Sequence, residues 1–308
     1  MSILVIGTMA FDSIETPYGK AEYVIGGSCT YISWSASYFH QPIMVQAVVG
    51  DDFPVAEINE LKSRGVRMDG LEIKKGEKSF YWAGRYHDNM NSRDTLVTDL
   101  NVLADFAPIL PASYKDSEYI MLGNLAPETQ LSVLSQLNKK PRLVVLDTMN
   151  FWMDIALDSL IKVISKVDVL TINEEEARQL SGEFSLVKAA KVIHEMGPKH
   201  IIIKKGEHGA LLFSGDHIFF APALPLAQVF DPTGAGDTFA GGFIGFLAKT
   251  GDLSFENMKR AIIYGSAMAS FCVEEFSIGK MKKLDNALIN ERVKKFVELV
   301  RFDTEIKE

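Results

Sequence analysis

The 308-residue chain has little cysteine, with Cys29 and Cys272 as its only two. Two cysteines cannot build a disulfide framework, and no Cys-x-x-Cys or His-Glu-x-x-His spacing indicates a zinc site. We therefore expect both cysteines to pack in the core. The six histidines show no ligand spacing either, so we expect them to be structural or exposed.

An excess of positive charge and a long apolar run are also missing. The 32 lysines and arginines are outnumbered by 40 acidic residues, giving a formal net charge of −8, which argues against non-specific binding to nucleic acid. No uninterrupted apolar stretch reaches the length of a membrane span, and the first residues show no basic leader or small-residue cleavage site. We expect a cytoplasmic protein without nucleic-acid or membrane partners.

Short apolar runs alternate with helical patterns over most of the chain. This alternation predicts an α/β fold with a mostly parallel central sheet flanked by helices. Hydrophobic residues make up 47% of the chain, and no break in composition separates two halves, so we expect residues 1–308 to form one domain. The runs typical of buried strands are ILVIG, IMVQAVVG, YIMLGN, LVVLDT, VDVLTIN and HIIIKKG.

Two segments, near residues 13–25 and 71–98, show strand-like alternation and turn residues with little helical periodicity. Both leave from early α/β elements, so we expect them to form a small β-sheet lid over the carboxyl ends of the parallel strands. Side chains of the second segment suit stacking on a bound molecule, recognition of a phosphate, packing of the lid, or a homodimer contact through it. They are Phe80, Tyr81, Trp82, Arg85, His87 and Arg93.

The stretch DPTGAGDTFAGG (Asp231–Gly242) stands directly before FIGFLA, the body of a buried helix. Its glycines place the N–H groups of Gly234, Ala235 and Gly236 at the positive end of that helix, a site for a phosphate or a developing oxyanion. A carboxylate repels an anion, so Asp237 here is best explained as a base that takes a proton from an attacking hydroxyl. The alternative is that Asp237 only satisfies the helix dipole, while the glycines allow tight packing.

Other nucleotide-site patterns fit poorly. The chain has no Gly-x4-Gly-Lys-Ser/Thr and no His-Arg-Asp or Asp-Phe-Gly motif. Gly234-x-Gly236 lacks the third glycine of a dinucleotide fingerprint and lies far from the first strand. A different phosphate-handling fold is needed.

DPTGAGDTFAGGFIGFLA resembles the carboxyl-terminal signature of the PfkB family, the ribokinase-like sugar kinases. The resemblance implies a ribokinase-like fold and an ATP-dependent kinase that phosphorylates a primary alcohol of a small sugar, with Mg²⁺ and in many members K⁺ as cofactors. It extends in order over nearly the whole chain. The further motifs are GTMAFDS, IGGSCTYISWSASYF, VVGDDF, TINEEEARQL and IIIKKGEHGALLF.

For the transfer step, the resemblance implies that Asp237 is the base and that Gly234–Gly236 form the anion hole for the transferring phosphoryl group. Positioning and charge neutralisation are most of what such a transfer needs. Asp231 and Thr233 match positions that bind a monovalent cation in many members of the family.

For the nucleotide and its metal, Asn173 and Glu176 match the Asn-x-x-Glu motif, which in this family organises Mg²⁺ and phosphate through water. Read without the resemblance, this pair is a helix cap with an acidic first turn. Lys204 and Gly206, with Gly209, resemble the loop beside the phosphates and ribose. Many relatives have threonine where Lys204 stands, so this side chain is either a phosphate-binding cation or a solvated surface lysine.

For the acceptor, Asp12 matches the aspartate that holds sugar hydroxyls, and Gly26 and Gly27 match the pair that lets a sugar lie against the backbone. Tyr31 stands where many sugar kinases have asparagine, which replaces an amide by a ring and one hydroxyl. A free sugar is the first expectation, because Asp12 and the glycine pair are intact.

Two alternatives remain open. Tyr31 and the aromatic lid fit a nucleoside kinase, and competition between adenosine and simple sugars separates the two acceptors. A sugar- or nucleotide-binding regulator without turnover would use the same scaffold. A binding module has no need of a base at an anion site, so Asp237 speaks against the regulator.

Overall fold

The computed structural model describes residues 1–302, and in this range thirteen strands form two sheets. The main sheet contains β1 (Ile3–Ile6), β4 (Ile43–Gly50), β5 (Val66–Lys74), β8 (Tyr119–Leu122), β9 (Leu143–Asp147), β10 (Val169–Asn173), β11 (His200–Lys204), β12 (Ala210–Ser214) and β13 (His217–Ala221). The small sheet contains β2 (Ala10–Thr16), β3 (Gly19–Gly26), β6 (Phe80–Tyr86) and β7 (Arg93–Asp99).

The main sheet has the spatial order β13-β12-β11-β10-β9-β8-β1-β4-β5. From β11 to β5 all neighbours pair in parallel, and β12 runs antiparallel to both of its neighbours. The predicted α/β fold with a mostly parallel sheet is therefore confirmed.

The helices cover both faces of the main sheet. They are α1 (Ser28–Ala36), α2 (Val55–Ser63), α3 (Pro127–Ser135), α4 (Asn150–Ile155), α5 (Leu157–Ile164), α6 (Glu174–Ser181), α7 (Leu186–Glu195), α8 (Ala235–Thr250), α9 (Phe255–Cys272) and α10 (Asn286–Val300).

Strand β1 shows how the two faces are built, because its side chains alternate between them. Ile3 and Val5 join a buried cluster with residues of α1, α8 and α9, whereas Leu4 and Ile6 join a second cluster with residues of α3, α5 and α7. Both cysteines are buried and free, as expected. Within residues 1–302, no helix combines the length and the apolar character that a membrane crossing requires.

The small sheet consists of two hairpins, β2–β3 and β6–β7, joined by parallel pairing of β2 with β6. The first predicted lid segment lies in it. The second segment was assigned too far toward the amino terminus, since Leu71–Lys74 belong to β5 and pair with Ala47–Gly50 of the main sheet. Alternation in sequence does not say which sheet a strand joins. Strand β7 is exposed along its whole length, and the homodimer through this sheet stays a prediction.

Candidate active site

Polar side chains converge where neighbouring parallel strands of the main sheet end. Asp147 is the last residue of β9, Asn173 the last of β10 and Lys204 the last of β11. The register pairs Asn173 with Lys204 and Thr171 with Asp147. The carboxyl edge of the sheet thus brings together residues that lie far apart in sequence.

The glycine stretch forms the start of α8, as predicted. Gly234 has φ +73° at the N-cap position, and a Cβ atom there would overlap the ring of Tyr31. Glycine is therefore required for its backbone conformation and for this close approach. The N–H of Ala235 donates to the Pro232 carbonyl oxygen at 3.2 Å. Among residues 1–302, the N–H groups of Gly234 and Gly236 have no hydrogen-bond acceptor, so two of the three expected anion-hole donors are free.

Asp237 lies in the first turn of α8, and its Oδ1 atom is buried without a hydrogen-bond partner among the described residues. Burial, and next the negative charge of Asp147, raise the pKa of Asp237 to about 7. The positive charges of Lys204 and Arg93 act against this rise. A carboxyl group with such a pKa changes its protonation near neutral pH, which suits a general base.

Lys204 is a largely buried cation beside the glycine stretch. Its Nζ donates to Asp147 Oδ1 at 2.7 Å, and a Cβ atom on Gly236 would lie 3.0 Å from the same Nζ. Burial lowers the pKa of Lys204, but the charges of Asp147 and Glu176 outweigh it, so the net shift is upward. Lys204 is therefore an ammonium ion at neutral pH, with a side chain only 18% exposed, and the solvated surface lysine is excluded.

Asp147 belongs to this cluster although its run LVVLDT indicated only a strand. Its Oδ1 accepts from Lys204 and also from the Thr171 hydroxyl at 2.9 Å. The only signal in the sequence was an aspartate that ends an otherwise apolar strand. That signal identifies a strand end at the carboxyl edge of the sheet, but it does not identify the neighbouring strands.

Asn173 and Glu176 form a capping box at the start of α6. Asn173 Oδ1 accepts from the Glu176 N–H at 2.8 Å, and Glu176 Oε2 accepts from the Asn173 N–H at 2.7 Å. Burial raises the pKa of Glu176 to about 7, with Lys204 lowering it and Asp147 raising it. Glu176 Oε1 makes no hydrogen bond within residues 1–302, so one oxygen of this carboxylate remains for a ligand.

The expected acceptor residues lie on β2, at the end of β3 and at the start of α1. Asp12 is buried, and a Cβ atom on Gly26 would overlap its carboxylate, while Gly27 has φ +92°. Burial, and then the charges of Asp231 and Asp237, raise the pKa of Asp12 to about 8. The two glycines are thus required by close approach and by backbone conformation.

Tyr31 is 1% exposed, and its ring packs under Gly234. Its hydroxyl group has no hydrogen-bond partner among residues 1–302. Burial raises the pKa of Tyr31 well above its usual value, and the charges of Asp231 and Asp12 add to this. The Tyr31 ring therefore packs against the glycine stretch, and its hydroxyl group stays protonated.

Asp231 joins two loops beside this tyrosine. Its Oδ1 accepts from the Thr233 N–H at 2.8 Å and its Oδ2 from the Ser277 N–H at 3.0 Å. The Thr233 hydroxyl donates to the Tyr86 hydroxyl of β6 at 3.1 Å. The small sheet therefore touches the loop that leads into α8.

The turn after β11 contains the other expected nucleotide residues. Gly206 has φ +55°, and a Cβ atom on it would lie 2.6 Å from Oδ1 of Asn91 in the β6–β7 loop. Gly209 has φ +89°, and a Cβ atom there would overlap the Ala221 carbonyl. Gly209 is therefore required for the packing of the turn, whereas Gly206 borders both the turn and the small sheet.

One face of the small sheet carries both Asp12 and Trp82. Trp82 pairs with Asp12 across β6 and β2, and adjacent residues in parallel strands share a face. The Trp82 ring lies along Gly84, and its Nε1 donates to the Thr95 hydroxyl at 3.3 Å. Tyr81 points to the opposite face and stacks on Tyr23 at 4.6 Å between ring centres.

Comparisons with known proteins identify the family and the fold. The family model described as pfkB family carbohydrate kinase matches residues 2–283. The cytidine kinase of Thermococcus kodakarensis is 30% identical over 250 residues, which is 79% of this chain and 87% of that protein.

Two solved structures share the fold. The nucleoside kinase of Methanocaldococcus jannaschii superposes with a TM-score of 0.74 at 19% identity, covering 96% of this chain and 98% of that one. A structure from E. coli described as a ribokinase II, in complex with ATP and Mg²⁺, gives a TM-score of 0.78 at 19% identity, covering 97% and 99%.

Proposed function

The chain belongs to the PfkB family of carbohydrate kinases and is an ATP-dependent kinase of a sugar or a nucleoside, and we propose that its acceptor is the hydroxymethyl group of a nucleoside. The observation that carries the kinase chemistry is the buried Asp237 Oδ1 atom, which has no hydrogen-bond partner within residues 1–302 and lies at a helix start whose N–H groups are free in the same range. Base and anion site stand side by side, as phosphoryl transfer to an alcohol requires.

In the proposed reaction Asp237 takes the proton of the acceptor hydroxyl. The hydroxyl oxygen forms a bond to the γ-phosphorus of ATP, and the bond from that phosphorus to ADP breaks. The N–H groups of Gly234 and Gly236 and the ammonium group of Lys204 lie where they would neutralise the charge of the phosphoryl oxygens. Asp12 would bind the hydroxyl groups of the acceptor that do not react.

Mg²⁺ fits the donor set of the nucleotide side. It prefers oxygen ligands and retains several waters, and the Oε1 atom of Glu176 is an oxygen donor left over by the capping box. Asp147 adds a second carboxylate, although Lys204 and Thr171 occupy its Oδ1. The ion would supply neutralisation of the ATP phosphates, held by Glu176 and Asp147 directly or through water.

The acceptor class is proposed from Trp82. This indole lies on the face that carries Asp12, next to it in register, and its hydrogen bond to Thr95 fixes the ring. A nucleobase offers a flat π surface for stacking on such a ring. From sequence alone a free sugar came first, and the position of Trp82 beside Asp12 favours a sugar that carries a base. The name of the Thermococcus kodakarensis relative, a cytidine kinase, points the same way.

A panel assay tests the proposal. ADP formation from MgATP is measured with cytidine, uridine, adenosine and guanosine, and with ribose, hexoses and their phosphates, using Asp237→Asn as the control. A nucleoside turned over far better than ribose, with loss of the signal in the variant, would support it. Preference for a free sugar would contradict the acceptor class. Ligand binding without ADP formation for any acceptor would favour a regulator instead.

Removing the indole should weaken nucleoside binding. Trp82→Ala is expected to raise the KM for the nucleoside roughly 5- to 150-fold, since stacking of a base on an aromatic side chain contributes about 1–3 kcal/mol. The KM for ATP should stay unchanged. Tyr81→Ala is the matched control, because Tyr81 is the next residue on β6 and stacks on the opposite face. Equal effects of the two substitutions would contradict base stacking on Trp82.

The pH dependence of turnover should follow the proposed base. Asp237 acts only when ionised, and its pKa is raised to about 7. We therefore expect kcat to be constant above this pH and to fall about tenfold per unit below it. This fall of kcat at low pH, the acidic limb of the pH–rate profile, is measured with saturating MgATP and acceptor. A profile that is flat from pH 5 to 8 would exclude Asp237 as the base.

We also propose that a monovalent cation acts at the loop of Asp231 and Thr233. The buried Asp231 carboxylate sits where two loops meet, each oxygen held by one backbone N–H, and carboxylate oxygens have further lone pairs. Replacing K⁺ by tetramethylammonium at constant ionic strength is expected to lower kcat. Equal rates in both salts would remove K⁺ from the cofactors.

A further inference from the structure

Arg93, the first residue of β7, lies directly opposite Tyr86 of β6. Residues paired across antiparallel strands share a face of the sheet. The Tyr86 hydroxyl accepts from Thr233, one residue before the glycine stretch of α8. Arg93 therefore stands on the face of the small sheet that looks at the phosphoryl site.

The side chain of Arg93 is exposed on β7 and has no acidic partner among the described residues. It lies 5.9 Å from the centre of the Trp82 ring, on the same face, and no ion pair or hydrogen bond joins it to a carboxylate within residues 1–302. Its positive charge lowers the pKa of both Asp237 and Glu176. The guanidinium group is thus near enough to act on the carboxylates at the starts of α8 and α6.

Arg85 of the same sheet behaves differently. Its Nε lies 2.9 Å from Glu15 Oε1, and both side chains are solvent-exposed. Residues 85 and 86 are neighbours on β6, so Arg85 points to the face opposite Tyr86. Arg85 is thus ion-paired on the outer face, whereas Arg93 shares the face of Tyr86 and has no acidic partner within residues 1–302.

We propose that Arg93 is a catalytic residue that donates hydrogen bonds to the oxygens of the phosphoryl group during transfer. This rests on the proposed function, in which ATP is the donor at the start of α8. A planar guanidinium group matches two phosphoryl oxygens at once and keeps its proton throughout. It completes a positive surface to which the chain otherwise contributes Lys204 and the helix start.

The position of Arg93 depends on the small sheet lying close to the main sheet. Among the contacts that hold it there, one runs from Tyr86 to Thr233 and another brings Asn91 close to the turn at Gly206. The first is at the phosphoryl side and the second at the nucleotide side. Withdrawal of the small sheet would remove Arg93 from the site, so efficient transfer would require closure.

Arg93→Gln and the matched Arg85→Gln test the proposal in steady-state kinetics with MgATP and the best acceptor. Arg93→Gln is expected to lower kcat about 100-fold, with the acceptor KM changed only a few-fold, and Arg93→Lys should recover part of the loss. Arg85→Gln should match the wild type. A raised acceptor KM at normal kcat would overturn the proposal in favour of acceptor recognition, and normal kinetics would overturn it altogether.

The pH profile separates this role from a structural one. Loss of the positive charge raises the pKa of Asp237, so the acidic limb of kcat should move to higher pH in Arg93→Gln and stay in place in Arg93→Lys and Arg85→Gln. A variant that only loosened the small sheet would lower the melting temperature without moving the limb, and that result would contradict the proposal.

A binding experiment tests Arg93 without any acceptor. Calorimetry compares MgADP alone with MgADP plus aluminium fluoride, which imitates a phosphoryl group in transfer. Aluminium fluoride should increase the affinity of the wild type and of Arg85→Gln for MgADP. In Arg93→Gln this increase in affinity should be smaller by a factor of at least about ten. An equal increase in affinity in all three proteins would overturn the role of Arg93 but not the proposed function. No tightening in the wild type would count against the phosphoryl site itself, and with it against the proposed function.

Discussion

Replacing Asp237 by asparagine is expected to lower kcat by about two to four orders of magnitude while leaving MgATP binding nearly unchanged. Asparagine has the same shape but cannot take the proton of the acceptor hydroxyl. The N–H groups of Gly234 and Gly236 and the ammonium group of Lys204 stay in place for the phosphates. Turnover by ADP release and nucleotide affinity by calorimetry measure the two quantities separately.

Asp12→Asn provides the matched control, since Asp12 is a second buried carboxylate on the acceptor side of the same site. We expect that variant to raise the acceptor KM rather than to lose its chemical step. Asp237→Asn with more than a tenth of the normal kcat would exclude Asp237 as the base.

The residual activity of Asp237→Asn also assigns the pH limb. Glu176 is another carboxyl group whose pKa is raised to about 7, so the limb alone does not distinguish the two. Without Asp237 the limb should disappear from the remaining activity. If it persists, another carboxyl group of the site titrates: either Glu176, whose ionisation would govern nucleotide or metal binding, or Asp12 on the acceptor side, whose pKa is raised to about 8.

Residues that belong to continuous motifs could be predicted from the sequence. Gly234 and Asp237 lie at a helix start that the local sequence DPTGAGD indicates by itself. Asn173 and Glu176, three residues apart, form a capping box. In these cases the interacting atoms are held by local backbone geometry. The same holds for the alternating strands and helices that predicted the fold.

Residues brought together by the order of strands could not be predicted in this way. Asp147 and Lys204 are 57 positions apart. They meet because β10 lies between β9 and β11, and all three parallel strands end at the same edge of the sheet. The sequence specifies each strand but not its neighbours. For the same reason it left Lys204 open between a phosphate-binding cation and a surface lysine.

The sequence also could not predict which face of the small sheet each side chain lies on. Alternation places Tyr81 and Trp82 on opposite faces but does not say which face is covered. The pairing of β6 with β2 decides this by setting Trp82 beside Asp12. The boundary at Leu71–Lys74 was missed because β5 continues as an edge strand of the main sheet.

Lys204→Met should damage both stability and turnover, for separate reasons. The substitution keeps an unbranched side chain but leaves the Asp147 carboxylate buried without its cation, which costs about 3–5 kcal/mol of unfolding free energy. It also removes a charge from the phosphoryl site, and we expect kcat to fall about 100-fold or more. Lys199→Met is the control, since Lys199 is 72% exposed and lies 3.9 Å from its acidic partner.

The double variant Lys204→Met/Asp147→Asn separates the two effects. Asparagine needs no cation, so urea unfolding should show most of the lost stability restored. Turnover should remain low, because the positive charge beside Gly236 is still missing and the Asp147 carboxylate proposed to hold Mg²⁺ is now absent as well. Recovery of both quantities would mean that Lys204 only neutralises Asp147.

The pH profile of Lys204→Met gives an independent measure of the same charge. Lys204 lowers the pKa of Asp237, whereas Asp147 raises it. Loss of Lys204 alone should therefore move the acidic limb of kcat to higher pH, and the added Asp147→Asn should move it back. If the pH of the acidic limb stays the same in both variants, neither charge acts on the base. The cluster at the ends of β9 and β11 would then only stabilise the fold.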